Sequence, residues 1–222
     1  MKRRDRIRMA VDLGMTVILL LLMAYSRVGE TSHEWLGIAM FALFVAHHIL
    51  NRGWIKSIGR GKYTPYRGLQ TVLASLIFLT MLSSFCSGVL LSKHVFTFLH
   101  ARGVAATART VHHLCGYWNF VLLSIHIGLH WSMMLGAIKR HNKTAARVIA
   151  GIAAALAAYG VYAFIKRQLG AYLTGQIMFS FFDYNEPLPL FMLDYLAIMA
   201  LFALVGYALS ILLKRARSDR KG

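Results

Sequence analysis

Long apolar runs separated by short charged connections dominate the hydrophobic pattern of this 222-residue chain. As an α-helix, a run of about 20 apolar residues crosses the roughly 30 Å hydrocarbon core of a membrane. The pattern predicts six such helices, which we call spans one to six, at Met9–Tyr25, Trp35–Asn51, Leu69–Leu91, Val111–Leu135, Ala146–Ile165 and Leu190–Leu213. Span one is the weakest, because Asp12 interrupts it. We therefore expect an all-α integral membrane protein with a six-helix transmembrane bundle.

Composition agrees with a chain embedded in a lipid bilayer. Hydrophobic residues make up 58% of the sequence and charged residues 15%, too few to cover the surface of a soluble domain of this size. The net charge of +17 does not indicate nucleic-acid binding, since the basic residues sit in clusters between apolar runs rather than across one face. The charge instead carries information about topology.

The 25 Lys and Arg residues are divided unequally between the loops on the two sides of the predicted bundle. One side holds only six of them, namely Arg27, Lys93, Arg102, Arg109, Lys166 and Arg167. Because basic loops stay in the cytoplasm, both termini are predicted to be cytoplasmic in a multi-pass protein. The external connection between spans five and six, 166–189, contains the aromatic run Phe179–Tyr184 and predicts an interfacial segment.

Histidines with a repeated spacing are the strongest chemical signal. His47 follows His33 by 14 residues, and His126 follows His112 by the same interval. This interval is about 40° short of four helical turns and rises roughly 21 Å, so each pair lies on one helix face near opposite membrane surfaces. Ionisable residues within a span are costly and usually functional.

Spans two and four run in the same direction in this topology, which places His33 level with His112 and His47 level with His126. Two facing imidazoles at one depth suit axial ligation of a haem iron, although imidazole also binds zinc and copper. No CxxCH motif accompanies Cys86 or Cys115, which argues against covalent haem attachment. We therefore predict bis-His haem b, with two haems as the expected number.

A shift of 79 residues superimposes the two helices. It maps His33 onto His112, Gly37 onto Gly116 and His47 onto His126. A glycine one turn from a ligand allows a flat macrocycle to approach the backbone, although small residues also serve helix packing. The repeat predicts a duplicated helical hairpin, formed by spans one and two and by spans three and four.

Other histidines remain alternatives for these roles. His48 is an alternative to His47, and His113 is an alternative to His112. His130 lies one turn beyond His126 and is able to ligate in its place, or to bind a haem propionate or a quinone. His94, after span three, competes with His33 for the outer iron, and Lys93 and Arg109 are candidates for pairing with propionates.

Several motifs in order resemble the flavinylation-associated cytochrome family, a bacterial membrane family formerly described only as a domain of unknown function. They are His33-Glu34-Trp35-Leu36-Gly37, His47-His48-Ile49-Leu50-Asn51, Ser92-Lys93-His94-Val95-Phe96, and Gly116-Tyr117-Trp118 with His126-Ile127-Gly128-Leu129-His130-Trp131. The resemblance covers roughly residues 1–134. It divides the chain into a four-helix haem-binding core, 1–138, and two further helices with the outer segment, 139–222, in the same membrane domain.

The resemblance implies a protein of the bacterial cytoplasmic membrane that transfers electrons through b-type haems to an extracytoplasmic flavin-bearing partner. The chain has no recognisable flavinylation motif, so the flavoprotein is expected to be a separate protein and this chain an electron-transfer subunit of an oxidoreductase system. Three alternatives remain: a ferric or cupric reductase subunit, a His-lined metal or proton transporter, and a passive membrane anchor for a flavoprotein.

Overall fold

The computed structural model describes residues 3–99, 103–178 and 185–218, and every regular element within these ranges is an α-helix. The helices are α1 (Arg3–Met23), α2 (Tyr25–Val28), α3 (Glu30–Leu50), α4 (Arg52–Ser57), α5 (Pro65–Leu91), α6 (Ala105–His141), α7 (Lys143–Lys166), α8 (Leu169–Leu173) and α9 (Leu188–Ser218). The expected all-α class is confirmed. The aromatic run Phe179–Tyr184 lies outside the described residues.

The six long helices coincide with the six predicted spans, and most extend beyond them. The largest difference is at α6, which begins at Ala105 rather than Val111 and continues to His141. Its 37 residues make it about 55 Å long, well beyond the thickness of a hydrocarbon core. Hydropathy therefore located the apolar centre of each helix and underestimated its ends.

Five described helices, α3, α5, α6, α7 and α9, are long and apolar enough to cross a membrane. Helix α1 has a comparable length of 21 residues, but its first half is charged. Arg4, Asp5, Arg6, Arg8 and Asp12 leave no 18-residue stretch of α1 with two or fewer charges. The helical membrane class therefore rests on five helices by length and composition.

Local sequence signals explain where two of these helices begin. At the start of α5 the Thr64 hydroxyl accepts a hydrogen bond from the Arg67 N–H at 3.2 Å, and Pro65 occupies the first helical position. At the start of α7 the Asn142 side chain accepts from the Ala145 N–H at 2.9 Å. Because Asn142 alone separates α6 from α7, the chain reverses its direction abruptly there.

Helix α9 packs closely against both α6 and α7. Gly128 of α6 faces the backbone carbonyl of Ala203, and Gly160 of α7 faces that of Ala197. A Cβ atom at either glycine would overlap the carbonyl oxygen, so the two contacts require the absence of a side chain. The last two long helices are thus fixed firmly to the rest of the bundle through α6.

The histidine-bearing helices α3 and α6 have a different relation. Helix α3 packs mainly on α1, and α6 packs on α5, which agrees with two helical hairpins. Within the described residues α3 and α6 are not among the closely packed helix pairs, so space remains between them. We call the end of the bundle with His33 and His112 the outer end, and the end with His47 and His126 the inner end.

A buried charge cluster joins α7 to α9 at the outer end. Asp194 is only 1% exposed and accepts hydrogen bonds from the Tyr159 hydroxyl at 2.6 Å and from Lys166 Nζ and Arg167 Nε, both at 2.8 Å. Glu186 binds the same two cations, at 3.1 and 2.7 Å. Two anions balance two cations, which makes burial of these charges tolerable.

Candidate functional site

The imidazole rings of His33 and His112 meet across the space between α3 and α6. Their centroids are 6.0 Å apart and their planes are inclined by 74°. Metal–nitrogen bonds of about 2 Å on each side of one ion would place two axial imidazoles with their centres roughly 6 Å apart. The observed separation therefore fits two ligands of a single metal ion.

Hydrogen bonding orients one ring of this outer pair. His112 Nδ1 lies 2.8 Å from the backbone carbonyl oxygen of Ser84 on α5, so the Nδ1–H tautomer donates there and leaves the Nε2 lone pair free. Metal-binding histidines commonly have this arrangement. Among the described residues, no partner forms a well-aligned hydrogen bond with the buried Nδ1 of His33. The Leu22 backbone lies beside this ring, and Tyr25 packs edge-on against it with the ring centroids 5.0 Å apart.

A cavity of ≈ 970 Å³ surrounds the outer pair. Its apolar wall comes from several helices and includes Leu19, Met40, Phe41, Met81 and Phe85. This volume is at the upper end of the range for pockets that bind small molecules and cofactors, and a mostly apolar lining with a few polar groups is typical of them.

Both glycines of the repeated pattern line this cavity. A Cβ atom at Gly37 or at Gly116 would have no neighbouring atom within 4 Å, so the backbone faces open space at both positions. Gly88 of α5 has the opposite environment, because its Cβ would lie 3.1 Å from the His112 ring. The glycines on α3 and α6 therefore leave room for a flat group, and the glycine on α5 leaves room for the imidazole.

Charged side chains lie at the mouth of the outer cavity. Lys93 Nζ forms an ion pair with Glu30 at 2.8 Å, and this hydrogen bond raises the pKa of Lys93 above its usual value. Arg109 lines the cavity on the α6 side. Lys93 and Arg109, the candidates for pairing with propionates at the outer end, therefore both line this cavity.

Glu34, next to His33 in the sequence, fixes the loop that covers the cavity. Its carboxylate accepts hydrogen bonds from the Ser92 hydroxyl at 2.7 Å and from the backbone N–H groups of Lys93, His94 and Val95. Glu30, Glu34 and His94 bring potential ligand atoms within 4.8 Å of one another. The oxygens of Glu34 already bind the loop, and the His94 side chain is 43% exposed, so this cluster is a weaker metal site than the outer pair.

The inner end contains a second group of histidines. His47 Nδ1 lies 2.7 Å from Asp12 Oδ1 of α1, and its Nε2 is 3.4 Å from the Asn51 amide nitrogen. His126 Nδ1 is buried without a hydrogen-bond partner, and the His130 ring centre lies 5.0 Å from that of His126. His126 also lies within electrostatic range of His47 and Asp12.

The alternative histidines face other neighbours. His48 Nδ1 bonds to the Phe44 carbonyl oxygen at 2.8 Å, within its own helix, and the ring packs on Phe44 at 4.2 Å. His113 lies against Tyr117 and Tyr172, at 5.3 and 5.8 Å, on the side of α6 that faces α8. His48 and His113 are therefore directed towards aromatic packing, whereas His130 stays beside His126.

Stacked aromatic rings connect the two ends. Phe41 of α3 stacks on Phe85 of α5 at 3.8 Å and 9°, and Phe44 lies 6.1 Å from Phe41. His48 follows at 4.2 Å from Phe44, and His47 at 5.7 Å from His48. The outer cavity is thus joined to the inner histidines through packed rings.

Four residues of the site had no part in the sequence-based prediction. Ser84 contributes a backbone carbonyl, which no side-chain pattern reveals, and Gly88 and Phe85 act through packing. Asp12 was visible only as a charge in an apolar run. An acidic residue at such a position is itself a signal, since it needs a partner in the membrane.

No protein-family model matches the chain, and neither a curated protein nor a solved structure is similar to it. The resemblance to flavinylation-associated cytochromes therefore rests on the sequence motifs alone. The functional argument depends on the geometry of the two histidine groups.

Proposed function

We propose that the chain is a b-type cytochrome subunit that carries electrons across a membrane. In this proposal His33 and His112 hold an outer haem, and His47 and His126 hold an inner haem. The observation that supports it most directly is the outer pair, two facing imidazoles 6.0 Å apart beside a ≈ 970 Å³ cavity. A haem bound in this way supplies one-electron chemistry between ferric and ferrous iron.

The residues around the outer cavity have separate tasks in this function. Ser84 orients His112, and Gly37 and Gly116 leave space above the backbone. Lys93 and Arg109 at the mouth provide positive charge for propionates. The loop held by Glu34 limits the access of water from the outer surface.

The buried Nδ1 atom of His33 also agrees with a ligand role. An imidazole buried without a hydrogen-bond partner is unfavourable unless another interaction compensates for it. A metal bond formed by Nδ1 itself would satisfy that atom, and the same argument applies to Nδ1 of His126. A haem iron held by two histidines would have no position left for oxygen, which would favour electron transfer over oxygen chemistry.

Helix α1 completes a six-helix transmembrane bundle in this proposal. Its charges lie in its first half, where Arg4 and Arg8 bind the Leu50 carbonyl at the end of α3, and its second half is apolar. Both termini lie in the cytoplasm of a bacterium, and the outer end faces the external side. The electron acceptor there is an extracytoplasmic flavoprotein, and a quinone near His130 is a candidate donor.

A metal-binding function is the second candidate, because Glu30, Glu34 and His94 form a ligand cluster at the outer surface. It requires release of Glu34 from four donors of the covering loop and of Glu30 from Lys93. The histidine pairs, by contrast, need no rearrangement of the loop. Transport would also require a continuous polar path, whereas the wall of the outer cavity is mostly apolar and includes the stacked rings of Phe41 and Phe85.

Haem quantification of the full-length protein in nanodiscs tests the proposal. The reduced-minus-oxidised spectrum is expected to show low-spin b-type bands, with two haems per chain. His112→Ala removes one haem, while the matched control His113→Ala retains both, and His47→Ala halves the content relative to His48→Ala. A haem-free wild-type protein, or full haem content in His112→Ala, would contradict the proposal. Binding of a divalent cation that is lost in Glu30→Gln would favour the second candidate.

A further inference from the structure

Asp12 is an acidic residue in the membrane-directed helix α1, and its partner is a histidine on another helix. Its Oδ1 lies 2.7 Å from His47 Nδ1, although the Asp12 side chain itself is 54% exposed. A carboxylate in a helix directed into the membrane is costly unless it is paired, and the pairing of Asp12 with His47 offsets this cost. Asp12, the residue that makes span one the weakest of the predicted spans, therefore forms a hydrogen bond that joins α1 to α3.

Side chains in the first half of α1 contact the end of α3. Arg8 and Arg4 donate hydrogen bonds to the Leu50 carbonyl oxygen, at 2.7 and 3.1 Å. Asp12 lies one helical turn beyond Arg8, level with His47, one turn before Leu50. These contacts fix the register of α1 against α3 and hold the carboxylate at the imidazole.

The hydrogen bond determines which nitrogen of His47 is available. Because the carboxylate accepts from Nδ1–H, the lone pair resides on Nε2. The Asn51 amide at 3.4 Å is too distant from Nε2 for a strong hydrogen bond. A carboxylate in this position also increases the basicity of an imidazole ligand, as in carboxylate–histidine–metal triads.

The inner and outer pairs share one arrangement and differ in the group that accepts a hydrogen bond from one imidazole. One histidine of each pair has a hydrogen-bonded Nδ1: His112 in the outer pair and His47 in the inner pair. The other histidine, His33 in the outer pair and His126 in the inner pair, has a buried Nδ1 without a partner among the described residues. The acceptor for His112 is a neutral carbonyl, whereas the acceptor for His47 is a carboxylate. An anion next to an axial ligand favours the ferric state and lowers the reduction potential.

We infer that Asp12 is a positioning residue that acts through His47 to make the inner haem the more negative of the two in potential. This inference rests on the proposed function and deepens it, because it names a residue that would favour electron flow from the inner end to the outer end. The charges at the outer cavity are balanced, with Glu30 and Glu34 against Lys93 and Arg109.

Positive charge at the inner end acts less directly than Asp12. Arg4 and Arg8 bind the end of α3, and Lys214 is exposed but within electrostatic range of His130. The exposed charges of Arg4 and Lys214 are screened by salt, and Arg8, which is partly buried, donates to the Leu50 carbonyl oxygen rather than to an imidazole. A hydrogen bond to the imidazole acts on the ligand itself and is not screened in this way.

A redox titration of the full-length protein in nanodiscs, followed at the haem absorption band, tests the inference. In Asp12→Asn the lower of the two potentials is expected to rise while the higher one stays unchanged. Asp12→Glu keeps the carboxylate and should stay closer to the wild type. Asp5→Asn is the matched control, because it removes an equal charge from the same helix, and it should shift neither potential. Repeating Asp12→Asn in a His112→Ala background, where only the inner haem is expected, assigns the shift.

The outcomes separate this inference from the proposed function. A wild-type protein without haem would overturn both. Two haems with unchanged potentials in Asp12→Asn, or a shift confined to the higher potential, would overturn the inference alone. If Asp12→Asn loses one haem, retention of that haem at an unchanged potential in Asp12→Glu would support it, and loss in both variants would contradict it.

Discussion

Gly116→Leu is the sharpest test of the outer cavity, because it should leave the stability of the apoprotein unchanged or slightly higher and should lower the haem content. Among the described residues no atom lies within 4 Å of a Cβ at Gly116, and this residue lines the ≈ 970 Å³ cavity, so a larger side chain has open space to enter. Replacing glycine by leucine within a helix stabilises it by about 0.8 kcal/mol through helix propensity. The apoprotein should therefore be as stable as the wild type or slightly more stable.

Haem binding by the same variant should fail at the outer site. A flat group approaches a glycine backbone to about 3.5–4 Å, which is the contact distance between carbon atoms. The leucine side chain would occupy that layer beside His112, so the haem content is expected to fall from two to one per chain. The inner site at His126, almost three turns away, should keep its haem.

The assay combines haem quantification with thermal unfolding of the apoprotein, followed by circular dichroism. Gly136→Leu is the matched control, since Gly136 lies on the same helix, has no atom within 4 Å of its Cβ and is exposed away from the cavity. The Gly136→Leu variant should gain the same stabilisation of about 0.8 kcal/mol from helix propensity and keep both haems. Two haems in Gly116→Leu would refute the placement of a haem over this glycine. A large loss of apoprotein stability would show that the space beside Gly116 is not open.

The other predictions concern stability and the covering loop. Asp194→Ala should destabilise the protein by about 3–5 kcal/mol, measured by denaturant unfolding in detergent, because Lys166 and Arg167 lose a buried partner; a change below 1 kcal/mol would show that the cluster is solvated. Burial raises and the hydrogen bonds from Arg167 and Lys166 lower the pKa of Glu186, and the net shift is downward. The stabilisation from Glu186 is therefore complete above the ordinary carboxyl pKa of 4.5 and is lost as the pH falls through the lowered pKa. Between about pH 5 and 3 the free energy of unfolding of Glu186→Gln should therefore depend less on pH than that of the wild type; an equal pH dependence in both proteins would contradict this. Glu34→Gln should speed hydrogen exchange at the amides of Lys93 to Val95 by roughly tenfold or more, since charge-assisted bonds contribute about 1.5–3 kcal/mol; unaltered exchange would show that the loop is held by other contacts.

Much of the architecture followed from one-dimensional features. Apolar runs located all six long helices, because helix formation in a bilayer depends mainly on the length of the run. Five of them satisfy the criteria for a membrane span, and α1 does not because of its charges. The helix ends were less accurate, as at Ala105, since the parts of a helix beyond the membrane are polar and carry no hydropathy signal.

The shared direction of spans two and four predicted that His33 and His112 would lie at one depth, and the structure places their ring centres 6.0 Å apart. It did not predict which of two adjacent histidines would face the other helix. His112 points to Ser84 and the cavity, whereas His113 packs on Tyr117. Neighbouring positions on a helix differ by about 100° in direction, so the rotation of α6 against α3 decides between them.

The sequence by itself determined the membrane class, the approximate helices and the level of each histidine, because these depend on composition and on the fixed rise of an α-helix. Only the tertiary structure decided what each side chain meets. It gave Asp12 a partner on α3, placed the Ser84 carbonyl at His112, and left the space between α3 and α6 open at Gly37 and Gly116. These contacts join residues far apart in the chain, and they depend on how the helices rotate and pack, which no local pattern encodes.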